Sequence, residues 1–111
     1  MAYLRKEKET VEIDYPMEKV WEAIPKVLQI LGWTVEEIQS ETYQVKARTN
    51  SNFMAYASVL AINVLSMNEK TVRVVVAAET PVTTITSLLY FGRVQERINR
   101  FLEQLERTLS H

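Results

Sequence analysis

The fold is decided by the stretch VEIDYPMEKVWEAIPKVLQILG, residues 11–32, in which the spacing of apolar residues changes. Val11, Ile13 and Tyr15 alternate with polar neighbours, which predicts a half-buried strand. Pro16 then suits the first turn of a helix, because its missing N–H group is not needed there. Beyond it, apolar residues recur at three- and four-residue spacing, which predicts an amphipathic helix. The apolar stripe of this helix consists of Met17, Val20, Trp21, Ile24, Val27, Leu28 and Leu31.

Two residues affect this helix in different ways. Gly32 follows the apolar stripe and predicts a left-handed C-terminal stop. Pro25 lies inside the stripe, where it lacks an N–H group and crowds the carbonyl of Trp21. We therefore expect the helix to end at Gly32 and to be kinked or broken at Pro25.

After Gly32 the alternation of apolar and polar residues predicts four further strands. They cover residues 33–38, 42–48, 53–67 and 71–80, and short polar links separate them. The stretch 53–67 is the most apolar of the chain, yet it is shorter than the ~20 residues that a membrane-spanning helix needs. We expect Pro81 to end the last strand.

A second amphipathic helix is predicted near the end of the chain. Its apolar stripe consists of Val94, Ile98, Phe101, Leu102, Leu105 and Leu109. Its start stays open between a cap at Ser87 and an interruption at Gly92.

The elements follow one another in the order β-α-β-β-β-β-α, which predicts an α+β fold. Strands joined by short links form an antiparallel sheet, and the helices pack on one of its faces. A ferredoxin-like order fits less well, because it needs a helix over 53–67, where β-branched residues are frequent. We expect residues 1–9 to be a charged N-terminal tail and residues 10–111 to form a single α+β domain, with the first strand at an edge of the sheet.

The composition argues against several kinds of chemistry. The 111 residues carry a formal net charge of −1 and include no Cys and one His, the terminal His111. A His-dependent triad, a thiolate site and a His-rich metal site therefore lack their residues, and Asp14 is the only Asp. We predict no catalytic residue, no metal site and no cofactor. The charged N-terminus resembles no secretory signal, and we expect a cytoplasmic protein without a membrane span.

Basic residues recur on one face of the predicted sheet, at Lys46, Arg48 and Arg73. Such a patch could contact RNA or an acidic partner, or be an ordinary solvated face. No aromatic residue alternates with these residues as an RNA-binding sheet requires. Because the net charge is not positive either, we predict no nucleic-acid partner.

Two groups of apolar residues are candidates for binding. Trp21 and Trp33, with Tyr15 and Tyr43, could line a pocket or lie in the core. The sheet face opposite the helices and the segment Leu88–Phe91 are also apolar, which is typical of a partner surface unless the segment 81–92 covers that face. The residues of this predicted interface are Val59, Ala61, Leu65, Val75 and Leu88.

The stretch over residues 11–24 resembles the opening of START-like helix-grip proteins (SRPBCC type), in which a strand, a Pro-containing turn and a helix follow one another. The stretch from Phe91 to Leu105 resembles their C-terminal helix, and the run Leu31-Gly32-Trp33 is similar to small prokaryotic proteins of this topology. The resemblance implies a concave sheet that grips a helix, often around an apolar ligand.

Three functional hypotheses follow. The leading one is a binding domain that holds a small apolar ligand between the sheet and the last helix. Its predicted apolar walls are Trp21, Trp33, Tyr56, Leu89, Phe91 and Phe101. The alternative is a non-enzymatic interaction module that forms a homodimer or docks a protein through the outer sheet face or the Leu88–Phe91 segment. The third is an enzyme of the aromatase or cyclase type, which needs a polar residue with a shifted pKa inside a cavity. No residue is nominated for that role, so we expect a protein that is not an enzyme.

Overall fold

The computed structural model describes residues 3–49, 59–82 and 91–110, with side chains for residues 8–49, 59–78 and 95–110. It confirms the predicted α+β class and the predicted order of elements. These elements are β1 (Tyr3–Ile13), α1 (Met17–Leu31), β2 (Thr34–Gln39), β3 (Gln44–Arg48), β4 (Val59–Asn68), β5 (Thr71–Val82) and α2 (Phe91–Leu109). The first part of the predicted strand 53–67, up to residue 58, lies outside the described residues, as does Ser87.

The five strands form one antiparallel sheet in the order β1-β5-β4-β3-β2. β1 lies at an edge, as predicted, and pairs with β5 from Tyr3 opposite Val82 to Ile13 opposite Val72. β2 forms the other edge. The first and the fifth strand of the chain are therefore neighbours at one edge of the sheet.

Two predicted boundaries need correction. We expected residues 1–9 to be a tail, but β1 begins at Tyr3. Pairing with β5 uses backbone groups, and charged side chains are common on edge strands, so the lack of apolar residues did not prevent a strand there. We also expected Pro81 to end β5, which instead continues to Val82, with Pro81 opposite Leu4. A proline is tolerated in an antiparallel ladder where no N–H group is required.

The helix α1 is continuous through Pro25, so the predicted break is absent. Pro25 lies on the exposed side, while its neighbour Ile24 and the following Val27 and Leu28 are buried. Burial of this stripe stabilises the helix despite the hydrogen bond that Pro25 cannot donate. Helix α2 likewise runs through Gly92 without interruption.

The end of α1 confirms the predicted stop at Gly32, which adopts the left-handed conformation with φ 73° and ψ 23°. Its N–H group donates to the carbonyl of Gln29 at 3.1 Å, and the N–H group of Trp33 donates to the carbonyl of Leu28 at 3.0 Å. These two bonds form a Schellman motif, and the buried side chains of Leu28 and Trp33 belong to the same apolar core.

Both helices pack on one face of the sheet and form a single core with it. The alternation predicted for β4 and β5 is confirmed, because the inward residues are buried and their neighbours are not. The sheet contributes Val45, Ala47, Leu60, Ile62, Val64, Val72, Val74, Val76 and Ala78, and the helices contribute Val20, Ala23, Ile24, Val27, Leu28, Ile98, Phe101 and Leu105.

β2 does not show the alternating burial that the apolar and polar alternation of residues 33–38 indicates. All six of its residues are exposed, including Val35 and Ile38 at 38% and 49%. The pairing with β3 shifts between Val35 and Glu37, and such a bulge interrupts the alternation of faces. This strand therefore adds backbone pairing to the sheet but no buried side chain to the core.

Replacing Gly32 should destabilise the protein through its positive φ. We expect Gly32→Ala to lower the free energy of unfolding by about 1 kcal/mol, because a Cβ is unfavourable in the left-handed region. Gly32→Asn serves as the control, since Asn tolerates that region and should cost less. Urea unfolding followed by circular dichroism measures both. Equal losses in the two variants would contradict the assignment of the effect to backbone conformation.

Candidate functional site

A groove of about 520 Å³ lies between the end of β1 and the second half of α2. The strand side comprises the last residues of β1 and the two residues that follow it, and the helix side comprises one face of α2. The groove is partly open to solvent. Its lining residues are Val11, Glu12, Ile13, Asp14, Tyr15, Asn99, Leu102, Glu103, Glu106, Leu109 and Ser110.

Two adjacent faces of α2 have different roles. Ile98, Phe101 and Leu105 are fully buried against the sheet. Leu102 and Leu109 lie on the neighbouring face, because each residue advances the helix by about 100°. They are only partly buried and line the groove. The predicted apolar stripe of this helix therefore divides into a core face and a groove face.

A side-chain bridge connects α2 to β1 at one end of the groove. The Nε2 atom of Gln95 donates to Glu9 Oε1 at 3.0 Å and to Asn99 Oδ1 at 3.1 Å. Asn99 itself lines the groove. The bridge thus links the helix to the edge strand just before the groove begins.

The groove combines an apolar floor with a polar rim. The floor consists of Val11, Ile13, Tyr15, Leu102 and Leu109, all partly buried. The rim carries carboxylates from both walls. Because the residues next to Val11 and Ile13 point to the opposite face of a strand, Glu12 lies at the margin rather than in the floor. Such an arrangement suits a ligand with an apolar body and a polar end.

The hydrogen bonds of the strand wall fix the carboxylates there. Glu12 pairs with Arg73 of β5 at 3.1 Å. Asp14 accepts a hydrogen bond from the Thr71 hydroxyl at 3.2 Å. Among the described residues no group of three or more acidic, His or Cys side chains could hold a metal ion.

The predicted wall residues lie in several places. Trp33 and Phe101 belong to the closed core, and Trp21 is partly buried. The Trp21 ring contacts that of Tyr43 edge to face, with centroids 5.2 Å apart and planes at 83°. None of these residues lines the groove, whereas Tyr15, which we had considered beside them, does. Tyr56 and Leu89 lie outside the described residues, as does the side chain of Phe91, so this wall stays a prediction.

The sequence analysis assigned several groove residues to the correct strand or helix but did not identify them as lining a groove. Val11 and Ile13 were predicted as inward residues of a strand, and Leu102 and Leu109 as part of the α2 stripe. The apolar stripe of α2 includes the adjacent residues Phe101 and Leu102 and is therefore wider than one narrow face of a helix. That width indicates that part of the stripe lies outside the core contact.

The predicted interface faces away from the helices. Val59, Ala61 and Val75 are half-buried there, and Leu65 is 48% exposed. Leu88 and most of the Leu88–Phe91 segment lie outside the described residues. The interface stays a prediction.

The basic residues of the outer face are paired across neighbouring strands. Arg48 contacts Glu36 at 3.2 Å, and Lys46 contacts Glu37 at 3.8 Å. Arg73 pairs with Glu12, as described above. All three are thus matched by a carboxylate, so they do not form a patch of uncompensated positive charge.

An antiparallel sheet with a long C-terminal helix across one face is the helix-grip fold, as the START-like resemblance predicted. Norcoclaurine synthase from Thalictrum flavum aligns over 98% of this chain and 96% of its own, with a TM-score of 0.73 and 6% identity. The Zhui aromatase/cyclase from Streptomyces sp. R1128 aligns over 95% of each chain, with a TM-score of 0.69 and 13% identity. Protein MLL2253 from Mesorhizobium loti aligns over 96% of this chain and 97% of its own, with a TM-score of 0.71 and 14% identity.

These likenesses establish the fold alone. No protein-family model matches the chain, and no curated protein matches it in sequence. Within the described residues, no helix is both long and apolar enough to cross a membrane.

The comparison corrects one prediction. We expected a protein that is not an enzyme, because no acid–base set is recognisable in the sequence. That inference was wrong, since norcoclaurine synthase and the aromatase/cyclase are enzymes built on this same fold. The lack of a catalytic motif is therefore no argument against activity in a chain with this fold.

The two faces of α2 should respond differently to truncation. We expect Phe101→Ala to lower the free energy of unfolding by about 3–5 kcal/mol, because it leaves a cavity in the core. The adjacent Leu102→Ala should cost about 1 kcal/mol, since that side chain is only partly buried beside the groove. Chemical denaturation measures both. A Leu102→Ala loss as large as that of Phe101→Ala would show that the groove face is part of the core.

Proposed function

We propose that this domain binds a small apolar ligand in the groove between β1 and the second half of α2. The observation that carries the proposal is a volume of about 520 Å³ with a floor of apolar side chains from two different elements. Small-molecule pockets typically have volumes of roughly 300–1,000 Å³ and mostly apolar walls. The groove therefore has the size and chemistry of a small-molecule site.

Both walls are held in place by contacts outside the groove. β1 pairs with β5 along its whole length, and α2 is anchored in the core by Phe101. The Gln95 bridge to Glu9 adds a link between the two walls. A preformed groove spares the ligand the free-energy cost of ordering its own site, which favours binding.

The comparisons support this function without identifying a ligand. Norcoclaurine synthase has been crystallised with dopamine and hydroxybenzaldehyde, so that protein holds small aromatic molecules. By analogy, a small molecule with an aromatic or aliphatic body is the ligand class that we propose for this chain. Tyr56, Leu89 and Phe91 are proposed as further apolar contacts of the ligand.

Binding can be tested with N-phenylnaphthylamine, a neutral dye whose fluorescence rises in apolar surroundings. We expect saturable binding to the wild-type protein and at least a roughly threefold weaker affinity in Leu102→Gln, which makes the floor polar. The control is Ile30→Gln, because Ile30 is an apolar residue of α1 that is 61% exposed and lies outside the groove. That variant should bind the dye like the wild type.

The same titrations can overturn the proposal. Dye binding that falls equally in Leu102→Gln and Ile30→Gln would indicate adsorption to exposed apolar residues in general. No saturable binding to a folded wild-type protein would exclude a small-molecule groove. Circular dichroism of each variant establishes that the fold is intact before affinities are compared.

A further inference from the structure

The rim of the groove is acidic on both walls. Acidic residues line it on both sides, namely Glu12 and Asp14 on the strand side and Glu103 and Glu106 on the helix side. Among the described residues that line the groove there is no Lys or Arg. A ligand that enters from solvent therefore meets negative charge before it reaches the apolar floor.

The two carboxylates of the strand side differ in how they are compensated. Glu12 forms an ion pair with Arg73, which neutralises it locally. Asp14 accepts a hydrogen bond from Thr71, whose hydroxyl carries no charge. Only one of these two negative charges is matched by a cation.

Neither carboxylate of the helix side has an ion-pair partner within the described part of the chain. Arg100 and Arg107 lie within about one turn of Glu103 along the helix, yet no ion pair forms with either. Both glutamates are exposed. Of the four acidic residues that line the groove, only Glu12 forms an ion pair with another described residue.

Arg100 and Arg107 lie at attractive spacings from Glu103, whereas Glu103 and Glu106 are unfavourably placed relative to each other. They are three residues apart, so their charges face each other along the helix surface and repel. Both also lie in the second half of α2, and Glu106 is in its last turn, where the helix dipole disfavours negative charge. A cation bound in the groove would relieve both effects.

The chemistry of the floor indicates what kind of cation fits. A metal ion requires closely clustered ligands, and the described residues provide no such cluster. The apolar side chains of Leu102 and Leu109 instead favour an organic body. The partly buried ring of Tyr15 adds an aromatic face, which attracts ammonium groups.

We propose that the groove selects small organic cations, with an ammonium group at the acidic rim and an aromatic or aliphatic body on the apolar floor. This inference rests on the proposed function, because it specifies the charge of the ligand in the same groove. It adds that binding is selective for positive charge over neutral and negative molecules of the same shape.

Three probes of matched size separate charge from apolar contact: phenylbutylamine, phenylbutanol and phenylbutyrate. Amide proton–nitrogen correlation spectra during titration give the affinity and locate each probe on the chain. We expect the amine to bind roughly threefold or more tighter than the alcohol at low ionic strength, and the acid to bind weakest. Residues 11–15 and 99–110 should show the shifts, and the preference should shrink in about 0.5 M NaCl.

Charge-neutral variants test which carboxylates are responsible. Glu103→Gln and Glu106→Gln should each weaken the amine roughly twofold to threefold and leave the alcohol unchanged. Glu96→Gln is the matched control, because it removes the same charge from an exposed position of α2 outside the groove. The double variant Glu103→Lys/Glu106→Lys should reverse the order, so that phenylbutyrate binds tighter than phenylbutylamine.

The possible results of these titrations test charge selection and apolar binding separately. Equal affinities for the three probes would overturn charge selection while leaving apolar binding intact. A loss in Glu96→Gln as large as that in Glu103→Gln would assign the preference to net charge rather than to the groove, and would also overturn it. If none of the probes binds and the neutral dye does not bind either, the proposed function itself fails.

Discussion

The packing of Phe101 against the inner face of the sheet determines where the rest of the structure lies. Phe101 is fully buried, together with Ile98 and Leu105 on the same side of α2. Residues at this spacing set the rotation of a helix as well as its position. That rotation turns the neighbouring face, with Leu102 and Leu109, towards the end of β1. The groove thus depends on the core contact, because the burial of Ile98, Phe101 and Leu105 determines where Leu102 and Leu109 lie.

Local patterns explain what could be predicted of the fold. Apolar residues recur at a constant spacing over ten or more positions in β4, β5 and α1. Gly32 ends α1 because it adopts the left-handed backbone conformation. The first half of β1 has no such pattern. Its charged residues are held by pairing with β5, a partner that is distant in sequence and that a local pattern cannot reveal. The exposure of β2 escaped prediction for a related reason, because the bulge after Val35 is a property of the pairing.

The groove was harder to predict than the fold. Read along the chain, Glu103 and Glu106 are ordinary polar residues of an amphipathic helix, and Glu12 and Asp14 are polar residues near the end of a strand. Only packing brings the two sets to the same opening. The same reason limits the argument from missing motifs, because two enzymes that share this fold are only 6% and 13% identical to this chain.

The contact between Gln95 and Glu9 joins residues 86 positions apart, and it has a consequence for the order of folding. Closing so long a loop is entropically costly until other contacts have shortened it. The hairpins among β2, β3, β4 and β5 connect near neighbours and can form first, whereas the walls of the groove come from the first and last elements of the described chain. Because β1 is itself a strand of the sheet, the groove is complete only when the first strand and the last helix have both joined the other elements. The groove is therefore a property of the completed fold and not of any single segment of the chain.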